Sequence, residues 1–146
     1  MTADFKGRRI LVVEDEQPVR SLVLLALANR GYRVLSAASG SQALALLDAE
    51  KPPLDLLLTD ANMPGMSGID LVRRLLAERP SLPVIVMSGY TEDTIVHHGV
   101  LRSGISFLHK PFTLDALARK LHEALDDFMD PKSASRRKSW STFPSL

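Results

Sequence analysis

The sequence contains no cysteine, so disulfide scaffolds, thiolate metal sites and cysteine nucleophiles are all excluded. It also lacks any apolar run near the roughly 20 residues that cross a bilayer. Its first nine residues are polar and have no apolar stretch of the kind that a secretory signal carries. From these absences we expect a cytoplasmic protein that does not bind membranes.

Neither sign of charge dominates, because 18 basic side chains are balanced by 17 acidic ones in 146 residues. The length suits one domain, and we predict that it spans residues 1–130. Residues 131–146 are rich in serine and carry four basic side chains, no acid, and the aromatic residues Trp140 and Phe143. We predict a flexible tail there. Without those four cations residues 1–130 have a net charge of −3, so we expect no nucleic-acid binding.

Five short apolar runs alternate with segments of helical periodicity, at residues 10–13, 34–35, 54–58, 84–87 and 105–108. The alternation predicts an α/β fold with a doubly wound parallel sheet and five helices. The first, third and fourth runs are nearly continuous and suit central strands, whereas the second and fifth suit edges. We therefore predict the flavodoxin-like strand order 2-1-3-4-5, in which ligands bind at the carboxyl ends of the strands.

Two kinds of local signal mark the helices. Serine or threonine at positions 39, 67, 91 and 113 predicts helix N-caps, and Pro18 suits a first helical turn. In the segment after the first run, five apolar residues recur at helical spacing and predict one buried face: Val19, Leu22, Val23, Ala26 and Leu27.

Acidic residues follow two strands that are neighbours in the predicted order. Glu14 and Asp15 follow the first run, and Asp60 follows the third. Carboxylates ~4 Å apart repel by roughly 4 kcal/mol at an effective dielectric of ~20, so such a cluster favours a bound cation. With only oxygen donors nearby, the sequence predicts a Mg²⁺ site.

Groups that complement the acids, a hydroxyl and an ammonium, follow the fourth and fifth predicted strands. Ser88 and Gly89 follow the fourth run, and Lys110 and Pro111 follow the fifth. A carboxylate beside a metal and a lysine can accept a phosphoryl group and form an acyl phosphate. Asp60 is the best nucleophile candidate, because the glycine-containing turn at 63–68 would leave one of its oxygens accessible.

Four segments at the strand ends together resemble the receiver domain of two-component response regulators. They are residues 10–16 (ILVVEDE), 58–68 (LTDANMPGMSG), 87–90 (MSGY) and 110–112 (KPF), within a similarity that covers about residues 8–128. The wider sequence around residues 88–101 and 107–113 is similar to receivers at the C-termini of hybrid histidine kinases. The sequence leaves open whether this is a stand-alone receiver or a piece of such a kinase.

The resemblance implies a role for each residue of the site. Asp60 would be the phosphoacceptor, and the metal ligands would be Asp15, Asp60 and the Asn62 backbone carbonyl, with Glu14 acting through metal-bound water. Ser88, Gly89 and Lys110 would hold the phosphoryl oxygens, and the Lys110–Pro111 peptide bond would be cis. The cofactor would be Mg²⁺, with Mn²⁺ as a substitute, and the phosphodonor a histidine kinase or a histidine phosphotransfer protein.

The resemblance further implies a switch in which Phe107 rotates inward after phosphorylation and alters the face made by helix 4, strand 5 and helix 5. Many relatives have tyrosine at this position, and phenylalanine lacks its hydroxyl. The message would pass to a protein partner that the sequence does not identify, because no output domain follows residue 130. We expect a monomer or weak dimer.

Three alternatives are less consistent with these residues. A phosphatase of the dehalogenase-like kind needs a second acid two residues after the nucleophile, where this chain has Asn62. A pseudo-receiver would not be expected to keep the Asp15, Asp60, Ser88 and Lys110 set. In a nucleotide- or flavin-binding protein, residues 14–16 would repel phosphate. We therefore predict a phospho-accepting switch rather than an enzyme, with only slow self-catalysed phosphorylation and dephosphorylation.

Overall fold

The computed structural model of the chain describes residues 7–89 and 105–129. The strands are β1 (Arg9–Val13), β2 (Arg33–Ala37), β3 (Leu56–Asp60), β4 (Val84–Ser88) and β5 (Ser106–His109). The helices within the described residues are α1 (Gln17–Asn29), α2 (Gly40–Glu50), α3 (Gly68–Glu78) and α4 (Leu114–Met129). The fourth predicted helix, between β4 and β5, and the tail predicted at 131–146 lie outside the described residues. The helix labelled α4 is therefore the fifth helix of the prediction.

The five strands form one parallel sheet in the order β2-β1-β3-β4-β5, which confirms the flavodoxin-like prediction. β3 and β4 are buried throughout, and β1 is buried after its first residue. β2 and β5 each have exposed positions, as expected of edge strands. β3 begins two residues after the start of the apolar run at 54–58, and Leu54 and Asp55 lie in the connection that precedes it.

Two apolar clusters cover the two faces of the sheet. Residues of α2 and α3 pack on one face, and residues of α1 and α4 pack on the other. Ser39 and Ser67 cap α2 and α3 through their side-chain oxygens, and Thr113 accepts the backbone N–H of Ala116 in the first turn of α4. These three contacts confirm three of the predicted N-caps, and the fourth, Thr91, lies outside the described residues.

The prediction for the buried face of α1 was partly wrong. Val23 and Leu27 are buried and Val19 packs beside them, but Leu22 is 52% exposed. Helical spacing places Leu22 on the apolar face of α1 with Val23 and Leu27. The part of that face that contacts the sheet is narrower and is centred on Val23 and Leu27. Among the described helices, none is long and apolar enough to cross a membrane.

Candidate phosphoryl-acceptor and metal site

Three carboxylates meet where β1 and β3 end. Val13 and Thr59 are partners in the β1–β3 register, so the residues that follow them in the chain are neighbours in space. One carboxylate oxygen from each of Glu14, Asp15 and Asp60 lies within 4.8 Å of the other two. Glu14 is fully buried and Asp60 is 5% exposed, while Asp15 is half-buried. The structure thus brings together the three acids that the sequence predicted.

Lys110 supplies the positive charge of this cluster. Its Nζ lies 2.7 Å from Glu14 Oε1 and 3.3 Å from Asp60 Oδ2. The backbone N–H of Lys110 donates to the carbonyl of Ser88 at 2.9 Å, which fixes the end of β5 against the end of β4. The close pair with Glu14 was not foreseen from the sequence, where Lys110 was assigned to the phosphoryl group alone.

Burial changes the acidity of both partners of this pair. Burial raises the pKa of Glu14 from 4.5 to about 7, with the hydrogen bond from Lys110 opposing the rise and Asp60 adding to it. Burial alone would lower the pKa of Lys110, but the hydrogen bond to Glu14 and the charge of Asp60 outweigh it, so the pKa lies above its ordinary value. Lys110 is therefore a cation at neutral pH, whereas Glu14 is poised to gain or lose a proton there.

The raised pKa of Glu14 predicts a pH-dependent free energy of unfolding. Between about pH 4.5 and 7 the folded state holds a proton that the unfolded state has released, so stability falls as the pH rises through this window. Over the full shift this group contributes on the order of 3 kcal/mol. We expect Glu14→Gln, which cannot ionise, to gain stability relative to the wild type from pH 5 to pH 8. Urea denaturation in the presence of a chelator measures the difference.

Glu16→Gln is the matched control for this prediction. Glu16 lies in the same loop and is exposed, so its substitution should leave the pH profile of the wild type unchanged. Parallel pH profiles for the wild type and Glu14→Gln would show that the buried carboxyl does not titrate in the expected window.

Arg20, which the sequence analysis missed, supports the acidic loop from α1. Its guanidinium donates a hydrogen bond to the backbone carbonyl of Glu14 at 2.7 Å. The backbone N–H of Arg20 donates to the carbonyl of Glu16 at 2.9 Å, so the first turn of α1 holds both ends of the loop. The sequence feature that could have predicted this contact is the position of Arg20, one helical turn beyond the acids.

The close approach of α3 to Asp60 was also missed. A Cβ on Gly68, the first residue of α3, would lie 1.7 Å from the Asp60 carbonyl oxygen. The Gly68 N–H donates to the carbonyl of Ala61 at 2.9 Å, and the Ala61 N–H donates to the carbonyl of Met87 at 2.8 Å. The backbone immediately after the acceptor is therefore held by both α3 and β4.

The remaining predicted residues surround the same cluster. Ser88 is buried at the last position of β4, and exposed Gly89 follows it. The N–H of exposed Asn62 lies 3.4 Å from Asp60 Oδ1. Phe107 is half-buried and packs against the core on the α2–α3 face. The Lys110–Pro111 peptide bond is cis, as the resemblance implied, whereas the roles assigned to Ser88, Gly89, Asn62 and Phe107 stay predictions.

The donor set fits a hard divalent cation. Three carboxylates converge, and the single positive charge of Lys110, within hydrogen-bonding distance of Glu14 and Asp60, cannot neutralise all three acids. All of these donors are oxygens, the ligands that Mg²⁺ prefers. The residues present therefore suit Mg²⁺ without any change of side chain.

Comparison with known proteins decides the family. Residues 10–122 match the response regulator receiver domain. The chain belongs to this family. Receivers of this family work in two-component signalling, with Mg²⁺ and a phosphoaspartate as typical features. The acids of this receiver, Glu14, Asp15 and Asp60, are thus gathered in a fold whose relatives use such a site for phosphoryl chemistry.

Curated relatives of the receiver include both large and small proteins. It is 38% identical over 117 residues to the sensor kinase CckA of Brucella abortus, covering 80% of this chain and 12% of that kinase. It is 30% identical over 127 residues to the sporulation initiation phosphotransferase F of Bacillus subtilis, covering 87% of this chain and 98% of that protein. The chain spans only 52% to 58% of three transcriptional regulatory proteins that it also matches.

Solved structures agree with the fold of the receiver. The receiver domain of the hybrid histidine kinase CckA is 37% identical, with a TM-score of 0.68 over 80% of this chain and 98% of that one. The TrrA response regulator of Thermotoga maritima, solved in complex with Mg²⁺-BeF, is 27% identical. Its TM-score is 0.69, and the match covers 81% of this chain and 99% of that one. The similarity confirms the expected likeness to receivers of hybrid histidine kinases.

Proposed function

We propose that this receiver accepts a phosphoryl group on Asp60 from a phosphohistidine of a histidine kinase or a phosphotransfer protein. The observation that carries the proposal is the position of Asp60 between an ammonium and two further carboxylates. Its side chain is 8% exposed, which leaves an oxygen within reach of a donor. A phosphoryl-acceptor role accounts for three crowded acids, two of which contact the ammonium of Lys110.

The transfer is a displacement at phosphorus. An oxygen of Asp60 forms the new O–P bond while the P–N bond of the phosphohistidine breaks, and the imidazole leaves with its electron pair. Lys110 Nζ, already 3.3 Å from Asp60, is placed to neutralise charge on the transferred oxygens. Asp15, Asp60 and the Asn62 carbonyl would hold Mg²⁺, with Glu14 acting through metal-bound water, and the ion would supply further positive charge beside the phosphoryl group. Mn²⁺, which has a similar preference for oxygen donors, is the proposed substitute.

We propose a switch and not an enzyme with rapid turnover. A phosphatase of the dehalogenase-like kind needs a second acid two residues after the nucleophile, to protonate the leaving group. At that position this chain has Asn62, whose amide is not an acid. The slow self-catalysed phosphorylation and dephosphorylation predicted from the sequence therefore remain side reactions.

Phosphorylation would act by withdrawing Lys110 from Glu14. The new phosphoryl group adds negative charge within reach of Nζ, which now lies 2.7 Å from Glu14. Because the Lys110 N–H is bonded to Ser88, a shift of Lys110 would move the ends of β4 and β5 together. Phe107, half-buried three residues before Lys110, is the aromatic expected to change position. The surface around β5 would then pass the signal to a protein partner.

Labelling with a small phosphodonor tests the proposal. We expect incubation with acetyl phosphate and Mg²⁺ to add one phosphoryl group to the wild-type chain, measured by intact mass spectrometry. Hydroxylamine should remove it, because it cleaves acyl phosphates and leaves phosphoserine intact. No mass gain, or a gain that resists hydroxylamine, would overturn the proposal. Phosphotransfer assays against candidate histidine kinases and phosphotransfer proteins would then identify the natural donor.

Removing the lysine should separate labelling from the response. We expect Lys110→Ala to remain labelled by acetyl phosphate but to show a much smaller change in amide chemical shifts around Phe107. The reason is that the ammonium linking Asp60 to the β4–β5 ends is gone. Lys120→Ala, which removes an ammonium from α4 instead, should respond like the wild type. A full response in Lys110→Ala would exclude the lysine from the switch.

A further inference from the structure

A groove lies at the amino-terminal ends of β3 and β4, whereas Asp60 lies at the carboxyl end of β3. It has a volume of about 490 Å³. Its lining is mainly proline and leucine, and we call it the proline groove: Pro53, Leu54, Pro80, Leu82, Pro83 and Leu125. The first two precede β3, the next three precede β4, and Leu125 belongs to α4. The five-residue β3 separates the groove from the acid cluster by roughly 16 Å along the strand.

The charged groups at the groove are engaged in holding its walls. Asp55 Oδ2 accepts the Arg9 N–H at 2.8 Å, and Asp55 Oδ1 lies 3.5 Å from the Arg8 guanidinium. The Arg79 guanidinium donates to the carbonyl of Pro52 at 3.2 Å, which ties the connection before β4 to the one before β3. The groove is therefore preformed, and what it offers an occupant is apolar surface with guanidinium planes beside it.

We propose that the proline groove binds the aromatic part of this chain's own segment 131–146, with Trp140 and Phe143 as the anchoring side chains. Leu125, which lines the groove, lies four residues before the last residue of α4. The chain therefore leaves α4 about 6 Å, or one helical turn, from a wall of the groove. Residues 131–146 then follow directly.

The length of the connection permits this contact. Trp140 is eleven residues beyond Met129. A flexible connection of that length has an r.m.s. span of about 18 Å. Tethering over such a span gives an effective concentration in the millimolar range. An intrinsic affinity of only about 1 mM therefore fills the groove about half of the time.

The chemistry of the two surfaces is complementary. Large flat aromatic side chains gain most from apolar contact, and tryptophan is the strongest partner for an arginine guanidinium. The groove provides both, through its prolines and leucines and through Arg8 and Arg79. The basic run at 136–138 precedes Trp140, and exposed carboxylates of Glu78 and Asp126 adjoin the lining residues Arg79 and Leu125 in sequence.

The single tryptophan of the chain makes the proposal directly measurable. Because Trp140 is the only indole, the intrinsic emission of the full chain reports its surroundings alone when tryptophan is excited selectively. We expect wild-type emission at a shorter wavelength than that of a free tryptophan peptide, with weaker quenching by acrylamide. Ser81→Arg and Pro53→Arg each place a bulky cation on an exposed residue of the groove and should abolish both effects.

Ser41→Arg is the matched control, because it makes the same change on an exposed residue of α2 outside the groove and should leave the emission unchanged. Emission of a fully exposed indole in the wild type would overturn the proposal. So would protection that survives both groove substitutions, since Trp140 would then lie elsewhere. Protection that disappears on dilution would assign the groove to the tail of a second copy and would also overturn it. Labelling of Asp60 should be the same in all three variants, which separates this test from that of the phosphoryl site.

Discussion

Replacing Asp60 by asparagine should abolish labelling by acetyl phosphate in the presence of Mg²⁺. An amide has no nucleophilic oxygen of the required kind, and the substitution also removes one of the three carboxylates that suit the metal. The expected loss is complete, to the background of intact mass spectrometry. Undiminished labelling would place the acceptor on another carboxylate, of which half-buried Asp15 in the same cluster is a candidate.

The matched control is Asp70→Asn. Asp70 lies in the first turn of α3, where its exposed carboxylate pairs with Arg73 at 3.8 Å and is outside the acid cluster, so its loss should leave labelling intact. Asp60→Asn should be at least as stable to urea as the wild type, because it relieves repulsion within a buried acid cluster. A large loss of stability in Asp60→Asn would attribute the missing label to unfolding instead of chemistry.

The largest effect on stability is expected from Gly68→Ala. A Cβ at this position would lie 1.7 Å from the Asp60 carbonyl oxygen and 3.0 Å from the Ala61 Cα, and both are backbone atoms that cannot rotate away. The helix or the end of β3 has to move. We expect a loss of about 3 kcal/mol or more in the free energy of unfolding, at the upper end of the usual cost of overpacking. Labelling should fall as well, because the displaced backbone carries the acceptor.

Gly89→Ala provides the comparison for Gly68→Ala. Among the described residues no atom lies within 4 Å of a Cβ built on Gly89, so its stability should change little. Urea midpoints of the two variants, measured together, separate the effect of close approach from the general effect of replacing glycine. An unchanged midpoint for Gly68→Ala would mean that α3 is not held against Asp60 as the structure describes.

The strand order was predictable from the sequence because burial on both faces leaves a distinct pattern. The apolar runs that became β1, β3 and β4 are nearly continuous, and Ser106 interrupts the run that became β5. The buried face of α1 was harder to predict. Leu22 has the correct helical spacing, but spacing alone does not determine the width of the stripe that contacts the sheet, and Leu22 is exposed. The choice depends on how α1 packs, which is a long-range property.

The chemistry of the candidate site was predictable from the sequence, because its side chains come at the ends of recognisable strands. They are the acids at 14, 15 and 60, the hydroxyl at 88 and the amine at 110. Adjacent parallel strands bring their carboxyl ends to one edge, so the convergence of these residues follows from the strand order. Tertiary structure alone decided that Lys110 contacts Glu14 more closely than Asp60, that Arg20 holds the Glu14 carbonyl, and that α3 tolerates only glycine against Asp60. Such contacts join residues up to 96 positions apart at distances near 3 Å, and periodicity and propensity carry no information about them.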